Sequence, residues 1–205
     1  MRRSREDAAE TRRTIVEAAS RLFRARGIDA VSVGDIMGSL GLTVGGFYRH
    51  FASKDVLVAE AIEAASLETV SRRAAANTGL TREERATALV DAYLSRWHRD
   101  HADVGCVITA LCSDVAREGA AAKDAFTAAL QRLLSGISGL VPGESQLARD
   151  RRLRTVAALV GAVVLSRATS DQALAGNLLD AVRRDLVRAP RARTRARRRR
   201  STKLA

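Results

Sequence analysis

Residues 41–55 read GLTVGGFYRHFASKD, and this stretch decides the fold that we predict for the chain. It contains three of the seven aromatic residues, Phe47, Tyr48 and Phe51, just after Gly45 and Gly46. Each glycine weakens a helix by roughly 1 kcal/mol, but it also lets the backbone approach another surface closely. The stretch therefore indicates a short helix whose first turn meets a partner.

Two short helices joined by SLGLT, residues 39–43, have the spacing of a helix-turn-helix. Ser32 is placed to cap the first helix, with Asp35 three residues later, and Thr43 is placed to cap the second. Gly41 can adopt the positive φ that turns the chain steeply between them. The second helix would then enter the major groove of DNA, although a helical hairpin with a packed aromatic is the alternative.

The aromatic cluster of the second helix divides into two roles. Phe47 and Phe51 are expected to face inward and anchor a small domain. Tyr48 and His50 have polar tips that suit phosphate oxygens. We therefore predict that this helix positions the protein on the DNA backbone as well as in the groove.

The rest of the sequence predicts helices and no strands, which makes the chain all-α with about nine helices. The first helix ends at Gly27, and the one capped by Ser53 ends near Ala76. Later helices are predicted over 81–100, 104–117, 119–140, 146–168 and 171–187. The predicted domains are a helix-turn-helix domain over 1–55, a second helical domain over 56–187 and a disordered basic tail over 188–205.

The net charge of +12 is concentrated at the two ends of the chain. Residues 1–55 have ten basic and seven acidic side chains, residues 56–187 are balanced, and residues 188–205 have nine basic and no acidic ones. This distribution favours a polyanionic partner such as nucleic acid. The longest strongly apolar run, 155–165, is too short to cross a membrane, and no secretion signal is apparent, so we expect a cytoplasmic protein.

Five motifs follow one another between Thr11 and Glu60: I-x-x-A-A-x-x-L-F, S-V-x-D-I, L-G-L-T, F-Y-R-H-F and S-K-D-x-L. Together they resemble the DNA-binding domain of TetR-family transcriptional regulators. The resemblance implies phosphate or backbone contacts at one set of positions and groove-facing residues at another. The first set is Ser32, Thr43, Tyr48, His50 and Lys54, and the second is Val44, Gly45 and Gly46.

Two positions depart from the family pattern. Val44 stands where the family often has lysine or another polar residue, and Gly46 where it often has alanine, threonine or serine. Direct hydrogen-bond readout by this helix is therefore expected to be sparse, and Val44 could instead touch a thymine methyl group.

The resemblance implies a homodimeric regulator without a cofactor, most simply a repressor that a small-molecule effector releases from a palindromic operator. A ligand-independent or activating regulator of the same fold is the first alternative. An architectural DNA-binding protein that uses the basic tail is the second. The chain shows no nucleophile–base pair, phosphate loop or paired carboxylates, so we predict that it is not an enzyme.

The predicted dimer interface lies on the last two helices, where residues 153–165 are apolar nearly all round and a second apolar stripe follows. Two such helices from each subunit would form a four-helix bundle. The predicted interface residues are Leu153, Ala157, Val160, Gly161, Val164, Leu174, Leu178 and Val182.

An apolar or aromatic effector is predicted to bind near Tyr93, Trp97, Cys106 and Phe126, although core packing is the alternative reading of these residues. Tyr93 and Trp97 are one turn apart if residues 81–100 form one helix. Cys106 could sense oxidants or electrophiles, or be a buried structural cysteine. His98 and His101, with Asp103 and Cys106 nearby, could bind a metal, but we favour ordinary solvent-facing histidines and predict no metal site.

Overall fold

The computed structural model describes the backbone of residues 5–201 and the side chains of residues 5–187. Within that range the chain is all-α, as predicted, and no strand is present. Ten α-helices and one 3₁₀ turn, Ala102–Val104, follow one another. The helices are α1 Arg5–Arg26, α2 Val33–Ser39, α3 Val44–Phe47, α4 Lys54–Ala76, α5 Arg82–Tyr93, α6 Arg96–Asp100, α7 Val107–Val115, α8 Ala120–Gly136, α9 Gln146–Ala168 and α10 Gln172–Ser201.

Within residues 5–201 the structure has ten helices where the sequence predicted about nine. The segment predicted as one helix over 81–100 is broken after Tyr93 into α5 and α6. The hydroxyl of Ser95 donates to the Ala92 carbonyl (2.8 Å) and accepts from the His98 backbone N–H (3.1 Å). Ser95 thus starts a new helix, as serine does at helix N-termini. The prediction that Tyr93 and Trp97 share one helix face is therefore wrong.

Other helix ends differ from the prediction by several residues. The helix predicted over 104–117 spans only Val107–Val115, after the 3₁₀ turn, and α8 ends at Gly136 rather than near 140. The last helix continues to Ser201, and so includes positions for which the sequence predicted disorder. Alanine and arginine, which dominate this segment, are both good helix formers. Residues 202–205 of the predicted tail lie outside the described residues.

The chain divides into two packing units, and the first contains α1–α4, the 3₁₀ turn, α7 and most of α8. Its centre is built from α1 and α4, which pack along each other. Phe47 and Phe51 are buried as predicted, with ring centroids 5.3 Å apart. Leu40 and Leu42, on either side of the turn at Gly41, are only half-buried. The small core beneath the helix-turn-helix includes side chains of α1, α2 and α3: Ile15, Ala19, Phe23, Ile36, Met37 and Phe47.

The second unit contains α5, α6, α9, α10 and the chain around residue 139. The side chain of Arg82 donates to the Ser138 hydroxyl (2.6 Å from Nη2), and a Cβ on Gly139 would collide with the Arg82 carbonyl. Glycine is therefore required at 139 for the close approach of these segments. The apolar core of this unit comprises Ala86, Leu89, Val90, Tyr93, Val156, Leu159, Val163, Ala175 and Leu179.

These are units of packing, so the predicted functional boundary at residue 55 stays a prediction. None of the helices within residues 5–201 combines the length and the apolar character that a membrane-spanning segment requires.

Candidate nucleic-acid interface

The cap of α2 and the turn after it are those that the sequence predicted, whereas Thr43 stands at the N-cap position of α3 without a capping hydrogen bond from its side chain. The Ser32 hydroxyl accepts from the Asp35 backbone N–H (3.1 Å), and the Asp35 carboxylate accepts from the Ser32 backbone N–H (2.8 Å). Gly41 has φ +67°, and the Leu42 backbone N–H donates to the Met37 carbonyl (2.9 Å). These local contacts determine where α3 begins and in which direction it leaves the turn.

The surface of α3 and the turn after it faces solvent. Val44 is 48% exposed and Tyr48 is 66% exposed. The Tyr48 ring stands edge-on to the buried Phe47 ring, with centroids 5.2 Å apart. We call the group at this surface the reading surface: Thr43, Val44, Gly45, Gly46, Tyr48 and His50.

A hollow of about 490 Å³ opens beside this surface, between α1, α2 and α3. It brings together four of the residues predicted to contact DNA, namely Thr43, Gly45, Gly46 and His50. A Cβ on Gly45 would meet no other atom within 4 Å, whereas one on Gly46 would be 3.7 Å from Met37 and Thr43. Glycine at 45 is therefore not required by packing inside the protein.

Ser32 lies at the start of α2, where an added Cβ on Gly34 would be 3.5 Å from the Ser32 hydroxyl and 4.0 Å from Val44. The Ser32 hydroxyl donates to the Asp35 carboxylate (2.6 Å). The Ser32 hydroxyl and backbone N–H together lower the pKa of Asp35. The contact therefore stabilises the fold above the ordinary pKa of an aspartate and is lost as the pH falls through the lowered pKa. To bind a phosphate, the Ser32 hydroxyl would have to leave Asp35.

Lys54, the first residue of α4, is already engaged within the protein. Its ammonium donates to the Ile28 carbonyl (2.7 Å) and lies 5.8 Å from the centroid of the buried Phe23 ring. The predicted phosphate contact would use the remaining N–H donors of the ammonium. The structure thus shows Lys54 holding the start of α4 against the chain after α1.

A second cationic link joins α1 to α4. The Arg12 guanidinium forms a bidentate ion pair with Glu60 and lies 4.2 Å from the centroid of the Phe51 ring. The hydrogen bond to Glu60 raises the pKa of Arg12. With Lys54, Arg12 ties α1 and the first half of α4 into one body that carries the reading surface.

Arg24 is a buried cation that the sequence analysis missed. Its Nε donates to the Ser20 carbonyl (3.1 Å) and its Nη1 to the Gly105 carbonyl (2.8 Å), while Nη2 lies 3.6 Å from the Glu68 carboxylate. Burial lowers the pKa of Arg24, and Glu68 opposes this effect. Arg24 follows Val16 and Ser20 at intervals of four, so helical periodicity could have placed it on the buried face of α1.

The four residues of the predicted effector pocket fall in different packing units. Tyr93 and Trp97 belong to the second unit, and Cys106 and Phe126 to the first. Tyr93 is buried, Trp97 is 53% exposed, Cys106 is buried and Phe126 is half-buried. Their grouping into one pocket therefore stays a prediction.

His98 is not the solvent-facing histidine that we expected. It is buried, its Nδ1–H donates to the Tyr93 carbonyl (2.7 Å), and its ring centroid is 4.7 Å from that of Tyr93. The break between α5 and α6 turns His98 inward, which the assumption of one continuous helix could not show. Within the described part of the chain, no three His, Cys, Asp or Glu side chains are grouped so that they could hold a metal ion.

The predicted dimer residues lie on the sides of α9 and α10 that the second unit leaves uncovered. Leu153 and Ala157 are exposed on α9, whereas Val156, Leu159 and Val163 on its opposite side are buried. The other predicted positions are exposed or half-buried: Val160, Gly161, Val164, Leu174, Leu178 and Val182. The single chain therefore presents an apolar face to solvent.

Similarity to known proteins is strongest in the segment that carries the reading surface. Residues 15–61 match the family model of bacterial regulatory proteins of the tetR family. The chain is 45% identical over 58 residues to the HTH-type transcriptional regulator TtgR of Pseudomonas putida. This aligned region covers 28% of the chain and 28% of TtgR, so it extends over less than a third of either protein.

Similarity over the rest of the chain is one of fold. A TetR transcriptional regulator from Chloroflexus aurantiacus superimposes with a TM-score of 0.72 at 23% identity, covering 89% of this chain and 96% of that one. The transcriptional regulator FadR from Bacillus subtilis, solved in complex with stearoyl-CoA, gives a TM-score of 0.64 at 16% identity, covering 85% and 97%.

The sequence match and the shared fold agree with the helix-turn-helix geometry. They confirm the resemblance of this segment to the DNA-binding domain of TetR-family regulators that was seen in the sequence. Residues 15–61 form a helix-turn-helix domain of the tetR family of bacterial regulatory proteins, and the chain as a whole shares the fold of TetR transcriptional regulators.

Proposed function

We propose that the protein is a homodimeric repressor that binds a palindromic operator and releases it when a small molecule binds. The observation that carries the proposal is the exposed reading surface, because Val44 and Tyr48 are held outward on α3 and the turn after it, above a buried phenylalanine pair. A regulator of this kind would act in the cytoplasm, where the chromosome lies.

DNA binding is tested by selection from a pool of duplexes with a randomised centre. The full chain should enrich a palindrome and bind the selected duplex far more tightly than a scrambled duplex of the same composition. Equal affinity for both duplexes would instead support an architectural protein that coats DNA.

The dimer is supported by the apolar face of α9 and α10. A side chain at Gly161 would meet no atom within 4 Å, so the middle of this face is open to the close approach of a second copy. Helices that are buried on one side and apolar on the other are those that symmetric bundles use. Two copies would also place two reading surfaces on the two halves of a palindrome.

Repression is the finer part of the proposal, and a reporter with the selected palindrome between promoter and start codon tests it. Expression should fall when the wild-type chain is present. A rise in expression would identify an activator of the same fold.

The effector is proposed to be an apolar or aromatic small molecule, and the stearoyl-CoA complex of FadR shows that a protein of this fold can bind a molecule with a long apolar chain. The signal would pass along α4, whose Glu63 pairs with Arg132 of α8 and whose Arg72 donates to the Val104 carbonyl (3.0 Å). An effector that lowers operator affinity must itself bind less tightly, by the same factor, when operator is present.

Trp97 provides the probe for an effector search, because it is the only tryptophan. Compounds that change its fluorescence would be titrated with and without saturating selected duplex. A compound that binds equally well in both cases is not an inducer, because a ligand with equal affinity for two states leaves the equilibrium between them unchanged.

A further inference from the structure

Arg49 occupies the turn directly after α3 and was not among the residues predicted to contact DNA. Its side chain is exposed and lines the same hollow of about 490 Å³ as Thr43, Gly45 and His50. It therefore stands beside the reading surface.

The backbone that carries Arg49 is held firmly. Its N–H donates to the Gly46 carbonyl (3.3 Å), and the next N–H, that of His50, donates to the Phe47 carbonyl (2.8 Å). The buried rings of Phe47 and Phe51 lie on either side of it in sequence. Binding through Arg49 would therefore order one side chain, with no rearrangement of the backbone.

The guanidinium of Arg49 has no ion pair or side-chain hydrogen bond with the residues that the structure describes, unlike neighbouring cations of the same unit. Arg12 pairs with Glu60, Arg26 donates to the Ala30 carbonyl (3.2 Å), and Lys54 donates to the Ile28 carbonyl. An arginine with all five donors available is suited to a phosphate, which it can bind in a bidentate manner.

We propose that Arg49 binds a phosphate of the operator backbone at the edge of the major groove that α3 enters. The proposal rests on the proposed function, since it needs the reading surface to meet DNA. The glycines at 45 and 46 allow close approach beside it, and the hollow leaves room for a phosphate oxygen near the Arg49 side chain.

The test compares Arg49→Gln and Arg49→Lys with the wild-type chain on the selected duplex and on its scrambled version, at several salt concentrations. Arg21→Gln is the matched control, because it removes the same charge from an exposed position of α1 outside the hollow. Thermal melts check that each variant stays folded, as expected for an exposed side chain without a partner.

Arg49→Gln should weaken binding to both duplexes. The negative slope of log affinity against log salt should become shallower by about 0.9 for each reading surface bound. The ratio of wild-type affinity to Arg49→Gln affinity should then be about 3.5-fold larger at 50 mM than at 200 mM salt for each reading surface. Arg49→Lys should have a salt slope close to that of the wild type, and Arg21→Gln should have the wild-type slope.

An unchanged slope for Arg49→Gln, while the wild type still prefers the selected duplex, would overturn the inference and leave the proposed function standing. A loss confined to the selected duplex, with the slope unchanged, would show that Arg49 contacts a base and not a phosphate. A wild-type chain with no preference for any duplex would instead defeat the proposed function.

Discussion

The reading surface and the uncovered face of α9 and α10 are both open to solvent, but they differ in chemistry. The first consists of two glycines, a threonine, a valine, a tyrosine and a histidine on a mildly basic segment, and the second of leucines, valines and small residues on a neutral one. A polar surface with open glycines suits a hydrated polyanion, whereas an apolar face suits another copy of itself.

The two regions also differ in how far their sequences agree with those of relatives. The segment around the reading surface is similar in sequence, 45% identical to TtgR over 58 residues, while the remainder is similar in fold. Contacts with phosphates and base edges require particular side chains at particular positions. Helix packing tolerates many apolar combinations if volume and pattern are kept.

The largest expected effect comes from placing a charge in the apolar face. Val160→Asp or Leu178→Asp would bury an unpaired carboxylate between two copies and should raise the dimer dissociation constant by more than about a hundredfold. Ala173→Asp is the control, because it adds the same charge at an exposed position of α10 outside the predicted stripe. Sedimentation measures the result, and dimers in both interface variants would place the interface elsewhere.

Deleting residues 188–205 is expected to have the next largest effect, since it removes nine positive charges and no negative ones. The negative slope of log affinity against log salt should become shallower, by at most about 8 for each copy. The ratio of affinities for selected and scrambled duplexes should stay the same, because phosphate contacts carry no base information. A slope equal to that of the full chain would show that the tail does not touch DNA.

Gly45→Ala separates the needs of the fold from those of DNA. The methyl group meets no atom within 4 Å, so the free energy of unfolding should rise by about 0.5–1 kcal/mol. Affinity for the selected duplex should fall by about 1–3 kcal/mol if DNA packs closely there. Gly38→Ala, equally open but on α2, should raise stability with no loss of affinity. Unchanged affinity in Gly45→Ala would argue against close approach.

The smallest effects are expected at single backbone contacts. Tyr48→Ala and Lys54→Ala should each weaken binding to every sequence by about 1 kcal/mol, as measured by titration on both duplexes. Only Lys54→Ala should also lower the free energy of unfolding, by about 1 kcal/mol, because the Ile28 carbonyl loses its donor. If neither variant loses affinity for either duplex, these residues do not contact the backbone.

Local chemistry made much of the reading surface predictable. The Ser32–Asp35 capping box, the positive φ of Gly41 and the inward phenylalanines depend on residues within a few positions of one another. Helices α4 and α9 also have the predicted limits, because each has a clear serine cap and a continuous apolar pattern.

Other features depend on contacts between distant parts of the chain. Arg24 is buried because the Gly105 carbonyl, 81 positions away, accepts its N–H, and Lys54 is engaged because Ile28 lies beside it in space. The break at Ser95 was missed because serine is tolerated within helices, and the inward turn of His98 follows from that break.

The central claim is that two copies of the reading surface bind one palindrome. A hydroxyl-radical footprint of the wild-type chain on the selected duplex tests it most directly. We expect two protected patches of equal depth, related by the palindrome's dyad and centred about one helical turn, or a multiple of it, apart. Uniform protection along the duplex, or a single patch without a partner, would contradict the account.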